Sequence, residues 1–473
     1  MTRIGPTISA GERLLIKQLA AANNEITLAS ARIASGRKIN SPHDNPAAFL
    51  ELSRLQNEQS LVQGATANVA SASTMVSRAQ LAIDQIRTQL DAIREQAVAD
   101  VDQALTPDQR AAHQAAIDQA ISAITQIVGQ DIDGRQLLGG GADFVYAGVD
   151  PNQIIDIQAY SLGNAAAQSI AGGVISTAST AQASYTGMGG VATATANITV
   201  TGDRGGANIS VTIGQSLTSL RDAINNESHA TGVVASVAGD TLSFQSIAYG
   251  SQATVGVAAT SGVFAVTGLG ADSAAHGVDA VATINGQVVI GDGNRFEIQS
   301  GTLSASVEFA AGFTGMFSSV EISGEALSFN LSTSISDRAV LAIPGLQPAR
   351  LGGLSGNLSQ LATGGAKAGL GAGASAAVRI VDEALGKLTR VEGLVDGFAN
   401  ATIAASAALF DGFDEKLQNA IDQIDEVDVA TENAIISRNQ LLADSAVAGI
   451  AILNEQRRGI LALIQQAAGL STS

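Results

Sequence analysis

The side chains that most often do chemistry are few in this sequence and stand far apart. His43, His113, His229 and His276 are scattered, and none has a second histidine four residues away, the spacing that turns two imidazoles toward one metal on a helix. Solvated surface histidines account for such a pattern. Gly369-Leu-Gly-Ala-Gly373 has the glycine density of a phosphate-binding turn, but no strand pattern precedes it, so it reads as a linker. Asp131 with Asp133, and Asp425 with Asp428, could attract a cation by charge; their spacing is not that of a calcium loop, and solvated helix ends explain them. The sequons at Asn197 and Asn330 carry no weight without a secretory signal. Cysteine is absent, which removes disulfides, thiolate metal sites and thiol nucleophiles. The expectation is a protein that is not an enzyme and needs no cofactor or metal.

Composition narrows the partners. The formal charge of −18 disfavours nucleic acid and anionic membranes, both of which call for a basic face. Residues 1–15 lack the apolar core of a secretory signal peptide. No run of 18 uncharged apolar residues suggests membrane insertion. With 473 residues, 46% of them hydrophobic, the chain can bury more than one core.

The strongest pattern lies between Asp44 and Val101. Leu55, Val62, Val69, Val76, Ile83, Leu90 and Ala97 recur every seven residues, and Ala65, Ala72, Ala79, Ile86 and Ile93 follow five of them at three. A heptad repeat keeps one apolar seam facing a partner helix along its length. About 58 residues at 1.5 Å each predict a rod of roughly 85 Å, which requires a partner of similar length. Asp44 and Asn45 supply N-cap chemistry, and Pro46 suits the first helical turn. A shorter heptad runs through Leu15, Leu19, Ala22, Ile26, Ala29 and Ile33 to a stop at Ser35-Gly36. Pro107, capped by Thr106, opens another helix to about Val128.

From Asp133-Gly134 to about Gly373 the chain turns rich in Gly, Ala, Ser and Thr, with short alternating runs. Strands are expected at Ile198–Thr201, Ile209–Ile213, Val233–Val237, Thr241–Gln245 and Phe296–Ile298. Asn285-Gly286 between Val281–Ile284 and Gln287–Ile290 signals a hairpin. A short capped helix over Ser216–Asn225 sits between two strand pairs, giving at least one ββαββ module. Gly364–Gly373 reads as a flexible link.

The heptad resumes at Val381, Ala384, Leu388, Val391, Val395, Phe398, Thr402, Ala405 and Leu409, and continues through Leu417, Ala420, Ile424 and Val427. Residues 44–101 should pack along 376–428 as an antiparallel coiled coil, with Leu55, Val62, Val69, Val76, Ile83, Leu90, Val381, Leu388 and Val395 as its seam. Beyond Asp428 the chain becomes apolar on most faces, so something must cover it. Gly64 and Gly449 fall inside helical patterns, where close packing is the expected reason and a kink the alternative.

Several motifs then resemble one family. SARIASGRKINSPHDNPAA over Ser30–Ala48, LDAIREQAV over Leu90–Val98 and DGRQLLG over Asp133–Gly139 are similar to successive stretches of the bacterial flagellins. So are IDEVDVATENAIISRNQLL over Ile424–Leu442 and Asn454-Glu-Gln456 followed by Ile460–Ile464. Residues about 197–257 and 278–309 resemble hook-IN modules.

The resemblance implies a fold that is mainly α at both termini, a long antiparallel coiled-coil rod, with a β-rich (α+β) central insert. The implied divisions are 1–43 (inner-core helix and joint), 44–133 (rod helices), 134–373 (insert), 374–428 (rod helix) and 429–473 (inner-core helix). It implies a subunit of the flagellar filament, exported without a cleaved signal peptide to an extracellular location. Its partners would be copies of itself, the hook-associated and cap proteins, and an export chaperone at the C-terminal segment. Subunit assembly is expected to rest on Leu15, Leu19, Ile26, Ile33, Ile450, Leu453, Ile460, Leu461 and Ile464. Three departures matter: Asp44-Asn-Pro-Ala-Ala48 carries a proline where filament flagellins usually read DDAAG, the Asn–Gln pair is separated by Glu455, and the arginine expected at Ala92 is missing. The first is nearer the hook–filament junction protein, which shares both terminal regions and is the alternative reading.

Overall fold

The computed structural model describes residues 10–102, 105–132, 134–163, 165–324, 326–333, 338–370 and 373–467. Asp133, half of one acidic pair, and residues 468–473 lie outside them. Three helices open the chain: α1 (Ala10–Ser35), α2 (Pro46–Asp102) and α3 (Pro107–Val128). Strands β1 (Val145–Ala147), β2 (Ile154–Ser161), β3 (Ala167–Ser176), β4 (Thr180–Thr186), β5 (Ala196–Gly202) and β6 (Gly206–Val211) follow. Helices α4 (Leu217–Asn226) and α5 (Ser228–Thr231) lead to β7 (Val233–Ala238), β8 (Thr241–Tyr249), β9 (Thr254–Gly262), β10 (Val266–Thr267) and β11 (Ala274–His276). Then come β12 (Val281–Ile284), β13 (Gln287–Ile290), β14 (Arg295–Gln299), β15 (Ser304–Phe309), β16 (Gly315–Ser323), β17 (Leu327–Phe329) and β18 (Ala339–Leu341). Helix α6 (Ala374–Gly397), a π turn (Phe398–Ile403), α7 (Ala404–Asp425) and α8 (Val429–Ala467) close it. Helical ends with a β-rich centre are the architecture expected from the sequence.

The chain divides into two compact units, residues 1–67 with 407–473, and residues 68–406. In the first, α8 returns antiparallel beside α1. The start of α2 packs Leu52 and Leu55 against Ile421, Leu417 and Ile424 of α7, and Gln59 donates to Gln418 at 2.9 Å.

In the second unit, Val69, Val76, Ile83 and Leu90 of α2 are buried, as are Val381, Leu388 and Val395 of α6. Alongside them Gln80 donates to Asp396 at 2.6 Å, Arg87 to Glu392, and Arg94 to Asp382 at 2.7 Å. Those three donors lie seven residues apart, so a polar row runs beside the apolar seam, as the flanking positions of a coiled coil do. The partners descend as the donors ascend, so the pair is antiparallel. Thr106 caps α3 with a full capping box to Gln109.

The insert holds two cores, one nested in the other. The inner core packs Leu217, Leu220 and Ile224 of α4 with Ile198, Val200, Leu242 and Phe244. It lies between a sheet of order β10-β4-β8-β7 and one of order β11-β9-β5-β6. Ser216 caps α4 as expected, accepting from Ser219 N at 3.1 Å. The outer core, with Phe296, Phe309, Phe317 and Val320, joins a sheet of order β1-β16-β3-β12-β13 to one of order β14-β15-β2. All of the inner core falls in sequence between β3 and β12, which are hydrogen-bonded neighbours.

Three expectations change. The π turn takes up an extra residue, so the buried positions after Val395 are Ile403 and Phe410, while Leu409 is 53% exposed. The run after Leu361 is pinned rather than free, since Gly369 N–H donates to Gln114 of α3 at 3.0 Å and Thr363 N–H to Asp118 at 2.8 Å. Gly64 has open space where a Cβ would stand, so close packing within the chain is not its reason. The helical stretch Ala374–Asp425 is long and apolar enough, by length and composition, to cross a membrane, and 17% of its most apolar 18-residue window is buried.

Candidate assembly surface

The first unit carries the residues assigned to assembly, and its geometry starts from small side chains. Ala22 and Ala29 of α1 and Ala446 of α8 are buried, which lets the two backbones come close. Gly449 is part of the same contact: a Cβ there would stand 3.1 Å from Leu15 Cδ1. Across the other helix, Leu453 Cδ1 lies 3.9 Å from the Cβ position of Gly11. Ion pairs mark the two ends, Glu12 with Arg457 and Arg32 Nη1 with Glu432 Oε1 at 3.5 Å.

The expected assembly residues fall into two groups. Leu15, Leu19, Ile26, Ile33, Ile450 and Leu453 are half-buried in the α1–α8 pair. Ile460, Leu461 and Ile464, on the last turns of α8, are 58%, 51% and 60% exposed. They lie beyond Arg457, where α1 begins to leave α8 uncovered. Leu14, Leu28, Leu441 and Leu463 are exposed too, between 41% and 69%. The heptad reading missed Leu14, Leu28 and Leu441 because they lie off the seam; the signal for them was the apolar residue on a second helix face. Among the described residues, more than half of the exposed large hydrophobic side chains belong to this unit, which holds under a third of the chain. Patches of that kind mark contact surfaces.

The joint between α1 and α2 is held by polar groups. Arg37 Nε is 2.6 Å from Asp425 Oδ2, and Ile39 N–H donates to the other oxygen at 3.0 Å. Asp44 accepts from the backbone N–H groups of Ser41 and Asn40, and the Ser41 bond above all holds its carboxyl below the usual range. Asn45 Oδ1 accepts from Ala48 N at 3.1 Å and so caps α2. Asp428 caps α8 through Thr431 and Ala430, and the Thr431 hydroxyl leads in lowering its pKa.

Chemistry beyond packing is sparse. Among the described residues no group of three His, Asp or Glu side chains is placed to hold a metal ion. His276 Nε2 meets Asp272 Oδ2 at 2.6 Å on the surface, a pairing at four residues that the search for paired histidines passed over. Lys387 of α6 meets Asp156 of β2 at 2.6 Å.

Residues 14–142, which span most of α1, all of α2 and α3 and the turn after them, match the model of the bacterial flagellin N-terminal helical region. The chain carries a flagellin N-terminal region. The helices just described are the part of the chain that is similar to that region. No curated protein matches it. Among solved structures it is similar to the D1-D2-D3 domains of the flagellar cap protein FliD from Escherichia coli, at 17% identity and a TM-score of 0.26. That likeness covers 52% of this chain and spans 65% of the cap-protein structure. It is also similar to FlgL from Xanthomonas campestris, at 11% identity and a TM-score of 0.27, over 78% of this chain and 99% of that one.

Proposed function

We propose that this chain is the subunit of a bacterial flagellar filament, polymerising through its two terminal helical segments to serve swimming motility. The observation that carries the reading is the run of uncovered Ile460, Leu461, Leu463 and Ile464 at the end of α8. Burying each such side chain contributes roughly 1.5–3 kcal/mol, which neighbouring copies would supply. In this reading Leu15, Leu19, Ile26, Ile33, Ile450 and Leu453 form the inner contact within and between copies, and Ile460, Leu461 and Ile464 the contact between them. The rod seam of Leu55 to Leu90 with Val381, Leu388 and Val395 keeps each copy stiff. Divisions near residues 43, 133, 373 and 428 separate inner core, rod and outward insert. Head-to-tail contacts that do not close on themselves give an open helical polymer. Before assembly an export chaperone covers the C-terminal segment, and the hook-associated and cap proteins bound the ends of the polymer.

One residue favours a second reading. Pro46, as the first residue of α2 after the Asn45 cap, is closer to the hook–filament junction protein. A junction subunit would form a short assembly of fixed size. Electron microscopy of the purified chain after seeding separates the two: filaments that lengthen with added protein support the filament subunit, and rings or short stacks of constant length support the junction.

A further inference from the structure

The outer sheet of the insert ends on a short strand whose edge carries no charged side chain, proline or bulge. Strand β13 is last in the order β1-β16-β3-β12-β13. Natural edges are commonly blunted by lysine, proline or a bulge. Gln287-Val-Val-Ile290 has none of these. The tight Asn285-Gly286 turn, with both residues at positive φ, sets the register Ile284↔Gln287, Thr283↔Val288, Ala282↔Val289 and Val281↔Ile290. In such a hairpin hydrogen-bonded pairs alternate with open ones, beginning with the pair that flanks the turn. The main-chain N–H and C=O groups of Val288 and Ile290 therefore face away from β12, toward the open edge.

The same two residues carry exposed apolar side chains. Val289 packs inward against the outer core, while Val288 and Ile290 are 68% and 69% exposed on the other face. Cross-strand partners extend that face: Val288 stands opposite Thr283, Thr283 opposite Gly173, and Gly173 opposite Met316. Met316 is 77% exposed and lies over Gly173, where a Cβ would be 3.0 Å from its sulfur. Strands β3, β12 and β13 contain no Asp, Glu, Lys or Arg.

We propose that this edge is a homotypic docking surface, on which β13 of a second copy pairs antiparallel across a twofold axis through Val289. The register follows from the hydrogen-bonding pattern. Val288 then exchanges both main-chain bonds with Ile290 of the mate, and Ile290 with its Val288, four bonds in all, with Val289 facing its own mate. The edge suits a second copy because pairing about Val289 sets no charged residue of one strand opposite a like charge of the other. Two chains at −18 repel over most of their surfaces, and a charge-free face lets them approach without that cost. Asp292, beyond the strand, falls opposite the Asn285-Gly286 turn of the mate and not opposite Asp292. An anionic bilayer would require basic residues that the face lacks. The proposal is independent of the filament reading, since the edge lies in the insert and not in the terminal helices.

The absence of cysteine makes the test direct. Val289→Cys in the full chain places one thiol at the twofold axis, and Ile213→Cys, at an exposed position in the turn after β6, serves as control. Mild oxidation before any seeding, read on a non-reducing gel, should link Val289→Cys into a dimer at least tenfold more than the control. Adding Val288→Lys and Ile290→Lys should abolish that dimer, and Val288→Thr with Ile290→Thr, which keeps strand-forming residues, should weaken it. Equal linking of the two single-cysteine chains, or a dimer that survives the lysines, would overturn the proposal. So would a Val289→Cys chain that stays monomeric, which would leave the edge to some other protein.

Discussion

Arg94 on α2 holds its Nε 2.7 Å from Asp382 Oδ1 on α6, and the second oxygen of the same carboxylate receives Arg204 from the turn between β5 and β6. One side chain thus ties together the two rod helices of the second unit and the inner core of the insert. Asp382→Ala would strand two guanidinium groups. Both are about a third exposed, so solvent recovers part of the loss, and the expected cost is about 1–2 kcal/mol. Urea unfolding should record this, with a smaller difference at high salt. An unchanged midpoint would show that the carboxylate ties nothing.

Val76 lies in the seam and is 1% exposed. Val76→Asp buries an uncompensated carboxylate among apolar side chains, at an expected cost of several kcal/mol. Thermal unfolding by circular dichroism should fall by many degrees; an unchanged transition would mean that the seam is not buried in solution.

The seam was legible in the sequence because a seven-residue repeat needs no knowledge of the partner. Its phase was not legible after Val395, because nothing in Phe398–Ile403 announces a π turn that moves the buried face from Leu409 to Phe410. In the insert, β5, β7 and β8 could be read from their Val, Ile and Thr alternation. Strand β3 could not, since Ala167–Ser176 is mostly small residues and gains strand character from its neighbours β12 and β16. Nesting one core inside another was hidden for the same reason: pairing of β3 with β12 is a contact across the whole inner core. On the assembly surface, the heptad residue Leu15 and the apolar run that ends at Leu453 stood out, whereas Leu441 and Leu14 have no periodic signature.

Two glycines separate an open site from a crowded one. Nothing lies within 4 Å of a Cβ built on Gly64, in the interior of α2. Gly64→Ala should therefore stabilise the isolated chain by about 0.5–1 kcal/mol through helix propensity. On Gly202 a Cβ would collide with the Thr231 carbonyl oxygen, so Gly202→Ala should destabilise the inner core. Denaturant midpoints moving in the same direction for both would contradict these placements. If Gly64→Ala is stable yet slows polymerisation, a neighbouring copy makes the close approach there.

Asp44 and Asp428 set the pH dependence of the first unit. Backbone and hydroxyl donors, led by Ser41 for one and Thr431 for the other, hold both carboxyls below their ordinary range. A lowered folded-state pKa contributes stability at pH above the unfolded value, and that contribution is lost as the pH falls through the folded value. Loosening of the α1–α2 joint and of the first turn of α8 is expected below about pH 4, the ordinary aspartate range. Hydrogen exchange at Ala430 and Thr431 should speed up as the pH falls there, after correction for intrinsic rates, and Asp428→Ala, which removes the acceptor oxygens, should already be fast at neutral pH. Identical protection in that variant would remove Asp428 as the cap.

Assembly through the uncovered end of α8 is the centre of this account, and a chain ending at Gly449 tests it most directly. That truncation removes Ile450, Leu453, Ile460, Leu461 and Ile464 while leaving α2, α3, α6 and α7 whole. Electron microscopy after seeding, beside the full chain under the same conditions, is the measurement. The account predicts a soluble protein with its rod helices intact by circular dichroism and no filaments. Filaments of normal length from the truncated chain would contradict it.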